Sequence, residues 1–267
     1  VQYLQKRYPG HSFTYVNVGT KIRALEKDMT EVCAVMEAAD LVLFSYPVYT
    51  FIAPSQVHRF IAALKACGAD LSGKFVTQIT TSKHFYDVTA HRYIEDNCLD
   101  LGMRVIRGLS ADMDDLTTEK GRLEAEKFFA YVLWCVENDV SEPAPARRPA
   151  PVPDYVPALA PVEKSKGYDT VIVADLRPED ENLRKMIEDF QAAYPYETRL
   201  ENIAEFPFGG GCIGCFNCAG DGKCIYKDGF DTYLRETIQT ADAAVFAFTI
   251  RDHSMGPTFK MYDDRQF

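Results

Sequence analysis

The chain has 267 residues, 47% hydrophobic and 25% charged, an ordinary globular balance with length enough for two domains. Its net charge of −10 disfavours nucleic acid or an anionic membrane as partner, since both need a basic face. No apolar run approaches the ~18 residues of a membrane span. No secretion signal is visible, although a chain starting at Val1 makes that absence weak.

In chain order, Val1–Tyr8 reads as the end of a helix stopped by Pro9-Gly10, and Ser12–Val18 as a short strand. A helical apolar pattern covers Met29–Ala39, and Leu41–Tyr46 reads as a strand buried on both faces. Val57, Phe60, Ile61 and Leu64 give Pro54–Cys67 a helical period. Phe75–Thr80 is predicted as a strand, Val88–Leu101 as a helix and Arg104–Leu109 as a strand. Thr118–Glu137 is a long predicted helix, capped by Thr117 or Thr118. Strands alternating with helices imply a parallel sheet covered on both faces.

Seven of the fourteen prolines fall between Pro143 and Pro161, so 141–166 reads as an extended Pro/Ala-rich linker between a module at 1–140 and one at 167–267. The second module restarts the alternation, with a strand at Thr170–Ala174, a helix at Asn182–Ala193 and a strand at Glu197–Ile203. A cysteine loop, a helix at Phe230–Thr240 and a buried strand at Ala243–Ile250 follow. The segment from Ala39 through Tyr49 lines up with that from Ala241 through Arg251, an internal repeat offset by 202.

Of eight cysteines, Cys33, Cys67, Cys98 and Cys135 are scattered, which is not the pattern of a secreted disulfide scaffold and suggests a reducing, cytoplasmic setting. The others form Cys212-x2-Cys215-x2-Cys218-x5-Cys224. Thiolates at every third position let a glycine-rich loop curl around a [4Fe–4S] cluster. A four-thiolate zinc site, a pair of disulfides and a loop that binds nothing remain open alternatives. Lys223 and Lys227 are nearby positive charges that would offset a thiolate-ligated cluster. His58, His84, His91 and His253 are isolated and read as surface or loop residues.

The stretch AADLVLFSYPVYTFIAPSQVHRFIAALK resembles the third strand, following loop and helix of flavodoxin-like NAD(P)H-dependent FMN reductases. The stretch CIGCFNCAGDGKCIYKDGFDTYLRETIQTADAAVFAF is similar to the iron–sulfur flavoprotein branch of that superfamily. The resemblance implies two tandem flavodoxin-like α/β/α modules with parallel sheets of order 2-1-3-4-5, both incomplete here. The first would lack its first strand and phosphate loop, and the second its last strands. It also implies that Ser45, Tyr46, Pro47, Val48, Tyr49, Thr50 and Phe51 flank an FMN ring, together with Thr80, Thr81 and Ser82 and with His84, Phe85 and Tyr86. Cys212, Cys215, Cys218 and Cys224 would hold the cluster. The implied activity is an FMN-dependent oxidoreductase exchanging electrons with NAD(P)H or a protein donor and an unidentified acceptor, with a homodimer as one arrangement. The alternatives are an electron-carrier or docking module without turnover, and a zinc-stapled interaction domain. In the second module Glu179, Asp180 and Glu181 stand where a phosphate-binding loop belongs, and Thr249-Ile250-Arg251 replaces Pro-Val-Tyr, so FMN is expected only in the first.

Overall fold

Apolar runs rich in Val, Ile, Leu and Phe form the strands, and stretches with a 3.6-residue apolar period form the helices that cover them. In the computed structural model the described residues are 1–83, 86–146, 160 and 162–266; the centre of the Pro/Ala segment, His84 and Phe85 lie outside them. The chain divides into two compact units, Val1–Pro145 and Ala146–Phe267. No helix among the described residues is long and apolar enough to cross a membrane.

The first unit is an α/β structure with a wholly parallel sheet. Its strands are β1 (Leu41–Pro47), β2 (Phe75–Ser82), β3 (Arg104–Val105) and β4 (Leu109–Asp112), in the order β1-β2-β3 with β4 also on β2. The helices are α1 (Gln2–Arg7), α2 (Val18–Leu25), α3 (Thr30–Ala38), α4 (Ser55–Cys67), α5 (Val88–Asp100) and α6 (Glu119–Glu137). Residue parity sorts the core. Phe44, Tyr46 and Val76 pack with Phe60, Ile61 and Leu64 of α4 and Tyr93 and Ile94 of α5. Phe75 and Ile79, of opposite parity, pack with Leu4 of α1 and with Phe129, Val132 and Cys135 of α6. Helices therefore lie on both faces of the sheet, and each fully buried Leu or Ile side chain contributes about 1.5–3 kcal/mol.

Several sequence expectations need correction here. Residues 12–17 form no strand; Tyr15 and Val16 are exposed, and the Asn17 side chain accepts from the Thr20 N–H (3.1 Å) to start α2 instead. The strand expected over Arg104–Leu109 is broken into β3 and β4 around Gly108. A Cβ at Gly108 would stand 2.4 Å from Gln78 Cγ, so close approach of the neighbouring strand dictates glycine. His58 is not on the surface but fully buried, stacked on Tyr93 with ring centroids 4.0 Å apart. Cys33 and Cys67, scattered in the sequence, are joined by a disulfide between α3 and the end of α4, which the expectation of a reducing setting did not anticipate.

In the second unit β5 (Ser165–Asp175), β6 (Tyr196–Asn202) and β7 (Ala243–Phe248) form a parallel sheet of order β6-β5-β7. Its helices are α7 (Glu181–Ala193), α8 (Cys218–Asp221), α9 (Phe230–Tyr233), which runs on into a π-helical turn Leu234–Ile238, and α10 (Gly256–Arg265). Ile172 and Ala174 face Leu183 and Ile187 of α7. Val171 and Val173 face Phe230, Leu234, Phe259 and Tyr262. β5 pairs with both β6 and β7.

The two units share a local device. After β1, Thr50 and Phe51 both adopt left-handed backbone (φ 52° and 67°) inside a Tyr49–Ile52 bridge. After β7, Asp252 and His253 do the same (φ 50° and 62°) inside an Arg251–Ser254 bridge. Each of these residues is matched at the offset of 202 read from the sequence. Left-handed conformations at non-glycine residues are costly, and they concentrate where a loop has a task beyond connection.

Candidate functional site

The cysteine loop leaves β6 and returns at α9. Its entry is fixed by Asp228, whose carboxylate accepts the Gly209 N–H (2.6 Å) and the Phe230 N–H (3.2 Å) and binds Arg265 through both Nη atoms (2.6 and 2.9 Å). Burial opposes ionisation of Asp228, but Arg265 and the two N–H groups outweigh it and bring its carboxyl down to about 2. Gly210 has φ 151° and lies so close to Tyr226 that a Cβ would stand 2.7 Å from its hydroxyl.

The loop then presents its sulfurs. The Gly214 N–H donates to Cys212 Sγ (3.4 Å). Burial pushes the Cys212 thiol up, and that N–H opposes the shift. Phe216, 82% exposed and left-handed (φ 56°), turns the chain between Cys215 and Cys218. Cys218 opens α8, which Gly222 ends in left-handed conformation. Asn217 Nδ2 donates to Lys223 O (2.9 Å) and the Cys224 N–H to Asp231 (3.2 Å), holding the return of the loop. All four cysteines line one cavity of about 220 Å³, walled also by Phe230, Leu234, Asp264 and Arg265. Among the described residues no three His, Cys, Asp or Glu side chains converge tightly enough to hold one metal ion.

Lys223 and Lys227, expected as the local positive charges, are both exposed. The inward cation is Arg265, with a side chain 2% exposed. Its guanidinium lies beside the rings of Phe230 (4.6 Å), Tyr226 (5.1 Å) and Phe208 (5.9 Å) and interacts with Cys224. Its Nε–H is buried without an acceptor. Arg265 belongs to α10, which sequence reasoning missed altogether; the only local signal is the helix-starting Gly256-Pro257. An unpaired donor and a fixed cation facing four cysteines suit a thiolate-ligated, negatively charged group.

A second candidate site lies at the carboxyl ends of β1 and β2. The Val48 N–H donates to Thr81 O (2.9 Å), and Phe51 meets Tyr86 edge-on at 5.8 Å, so the two expected ring-flanking loops are adjacent. Phe51 and Tyr86 are exposed, Ser45 and Pro47 face outward, and Val48, Tyr49 and Thr50 are half-buried. Ser82 Oγ is buried without a partner. Tyr46 differs from its neighbours. It points into the core, with its hydroxyl against Gln78 Oε1 (2.6 Å) and Ala90 O (3.0 Å). Thr80 is also enclosed, bonded to Asp87 (2.6 Å) and His91 (2.8 Å). Burial lowers the His91 pKa and the Asp87 carboxylate opposes that shift. The orphan hydroxyl and the exposed aromatic pair suit a flat polar ring, so these residues fit a flavin.

The corresponding position of the second unit is closed by its own side chains. Asp180, at the start of α7, accepts from the Arg177 N–H (3.0 Å), Thr249 Oγ1 (2.9 Å) and Arg251 Nη2 (2.6 Å). These bonds hold its carboxyl below the usual range against the opposing effect of burial. Two of the three residues that replace Pro-Val-Tyr thus bind an internal carboxylate.

No known family profile matches the chain. An iron–sulfur flavoprotein of Clostridioides difficile is 35% identical over 54 residues, 20% of this chain and 24% of that protein, so the match spans about a quarter of the relative's length. Among solved structures, an NADPH-quinone reductase from P. pentosaceus aligns with 45% of this chain and 89% of its own, at 12% identity and TM-score 0.32. A putative quinone reductase from Klebsiella pneumoniae aligns with 45% of this chain and 58% of its own, at 20% identity and TM-score 0.34. A thermophilic tryptophan halogenase scores 0.33, so likenesses at this level do not establish a common fold.

Proposed function

We propose that the protein is an FMN-dependent oxidoreductase of the NAD(P)H-dependent type, built from two tandem flavodoxin-like modules, with a [4Fe–4S] cluster relaying electrons to or from the flavin. The observation that carries the reading is the convergence of Cys212, Cys215, Cys218 and Cys224 on one cavity beside the buried cation Arg265. Thiolate ligation by four cysteines is what such clusters need, and N–H donors to the sulfurs tune them. A single zinc ion needs its four thiolates drawn onto one centre, whereas cluster ligands sit on separate irons. The partial match to an iron–sulfur flavoprotein supports the same reading.

The flavin belongs to the first unit in this reading. Val48, Tyr49, Thr50 and Phe51, with Thr81, Ser82 and Tyr86, would border its ring, while Tyr46 and Thr80 brace the strands beneath. The second unit holds no FMN, because Asp180 already fills the anion position at the start of α7. When bound, the flavin exchanges electron pairs with a nicotinamide and the cluster passes single electrons; the protein supplies binding and tuning.

A second reading, an electron carrier without its own substrate, is favoured by the exposed apolar rim of the cysteine loop at Ile213, Phe216 and Ile225. Such a rim suits docking to another redox protein. Anaerobic purification of the full-length protein separates the possibilities. Flavin absorbance over a broad iron–sulfur shoulder, with NAD(P)H oxidation, supports the oxidoreductase. The same spectrum without turnover supports the carrier. Zinc at one per chain and no iron would sink the cluster.

A further inference from the structure

We propose that Arg265 is the positioning residue of the cluster site, holding a fixed positive charge and a free N–H against the cysteine sulfurs and so raising the cluster's reduction potential. This rests on the cluster reading above. Three observations lead to it.

The first is confinement. Arg265 is locked by its fork on Asp228, by a bond from Nη1 to Gly210 O (3.1 Å) and by three aromatic rings, so its charge cannot swing into solvent. The second is direction. Asp228 anchors the guanidinium from the side of the Gly209 and Phe230 N–H groups, while Cys224 stands within interaction range and the guanidinium helps wall the cysteine cavity. The pair thus presents its positive member to the sulfurs. The third is the unused donor. Leaving a buried N–H without an acceptor costs about 1–3 kcal/mol, and the Nε–H of Arg265 is such a group. A thiolate or sulfide in the cavity would supply the missing acceptor.

Two carboxylates also line the cavity: Asp264, held by Lys260 (2.8 Å), and Asp231, which accepts the Cys224 N–H (3.2 Å). Both oppose the charge of Arg265, and neither offers the N–H donor that Arg265 does. Lys223, Lys227 and Arg235 are exposed, where water screens them. Each electron added to a cluster adds a negative charge, so a confined cation stabilises the reduced form more than the oxidised one.

The full chain is loaded anaerobically with ferrous iron and sulfide, and iron and sulfide per chain are measured first. A wild-type chain that takes up neither overturns the cluster reading and the role of Arg265 with it. Where the wild type holds the cluster, a redox titration followed by EPR gives its reduction equilibrium. Arg265→Gln is expected to shift that equilibrium at least tenfold towards the oxidised form, 59 mV for one electron. Arg265→Lys, which keeps the charge, is expected to recover at least half of the shift. Equal potentials in wild type and Arg265→Gln, both cluster-bearing, overturn the proposal and leave the cluster reading standing. Should Arg265→Gln fail to fold, the wild type decides. With 15N-arginine, pulsed EPR of the reduced cluster is expected to show a nitrogen coupling that persists in Arg235→Lys, and absence of that coupling overturns the proposal.

Discussion

Removing one partner of a buried ion pair leaves the other charged and uncompensated, which makes the Asp228–Arg265 pair a point of high leverage. Their side chains are 8% and 2% exposed. Asp228→Asn is expected to destabilise the second unit by about 3 kcal/mol, read as a fall in the denaturant midpoint. The same pair sets an acid limit. The folded carboxyl titrates at about 2, below its ordinary 3.8, so the stability it contributes is present above about pH 4. That stability is lost as pH falls through about 2, and acid unfolding of wild type should have a component in that window which Asp228→Asn lacks. Tyr46 carries a prediction in the first unit. Its hydroxyl lies against Gln78 Oε1 and Ala90 O, so Tyr46→Phe should cost about 1 kcal/mol in stability while leaving the flavin content of loaded full-length protein unchanged. The type of these residues was visible in the sequence; their partners were not. Arg265 pairs with Asp228 only after the chain has passed through β7, and nothing local to either residue announces that contact.

Among the elements, the buried strands and amphipathic helices were the most legible. β1, β2, β5, α4, α5, α6 and α7 arise close to where apolar runs and 3.6-residue periods put them, because burial against a sheet rewards those patterns directly. The failures share a cause. Tyr15 and Val16 have strand propensity, but no sheet neighbour takes them, and the Asn17 cap starts a helix instead. α10 was missed because it turns Lys260, Asp263, Asp264 and Arg265 inward, which defeats an amphipathic reading that assumes charges face water. Gly108 belongs to this scale too. Gly108→Ala would drive a methyl into Gln78 Cγ and within 2.8 Å of Gln78 O, so it should lower the thermal midpoint by the equivalent of about 1–3 kcal/mol.

Across the whole molecule, the proposed function makes a stoichiometric prediction. The loaded full-length protein should carry about four irons per chain and no more than one FMN, and each single Cys→Ser change at positions 212, 215, 218 and 224 should lower the iron content. Two FMN per chain would contradict the internal anion at Asp180. Hydrophobic periodicity is a local property, so the alternation of strands and helices, and with it parallel sheets covered on both faces in each unit, was written along the chain. The sequence also displayed the cysteine spacing and the repeat at 202 residues, which the left-handed pairs Thr50-Phe51 and Asp252-His253 extend into backbone conformation. Which charge faces the cysteines, the hold of Thr249 and Arg251 on Asp180, and the burial of Tyr46 in the core emerge from the folded chain alone. Those outcomes depend on residues far apart in the chain meeting at the carboxyl ends of strands, and the composition of either partner carries no record of the meeting.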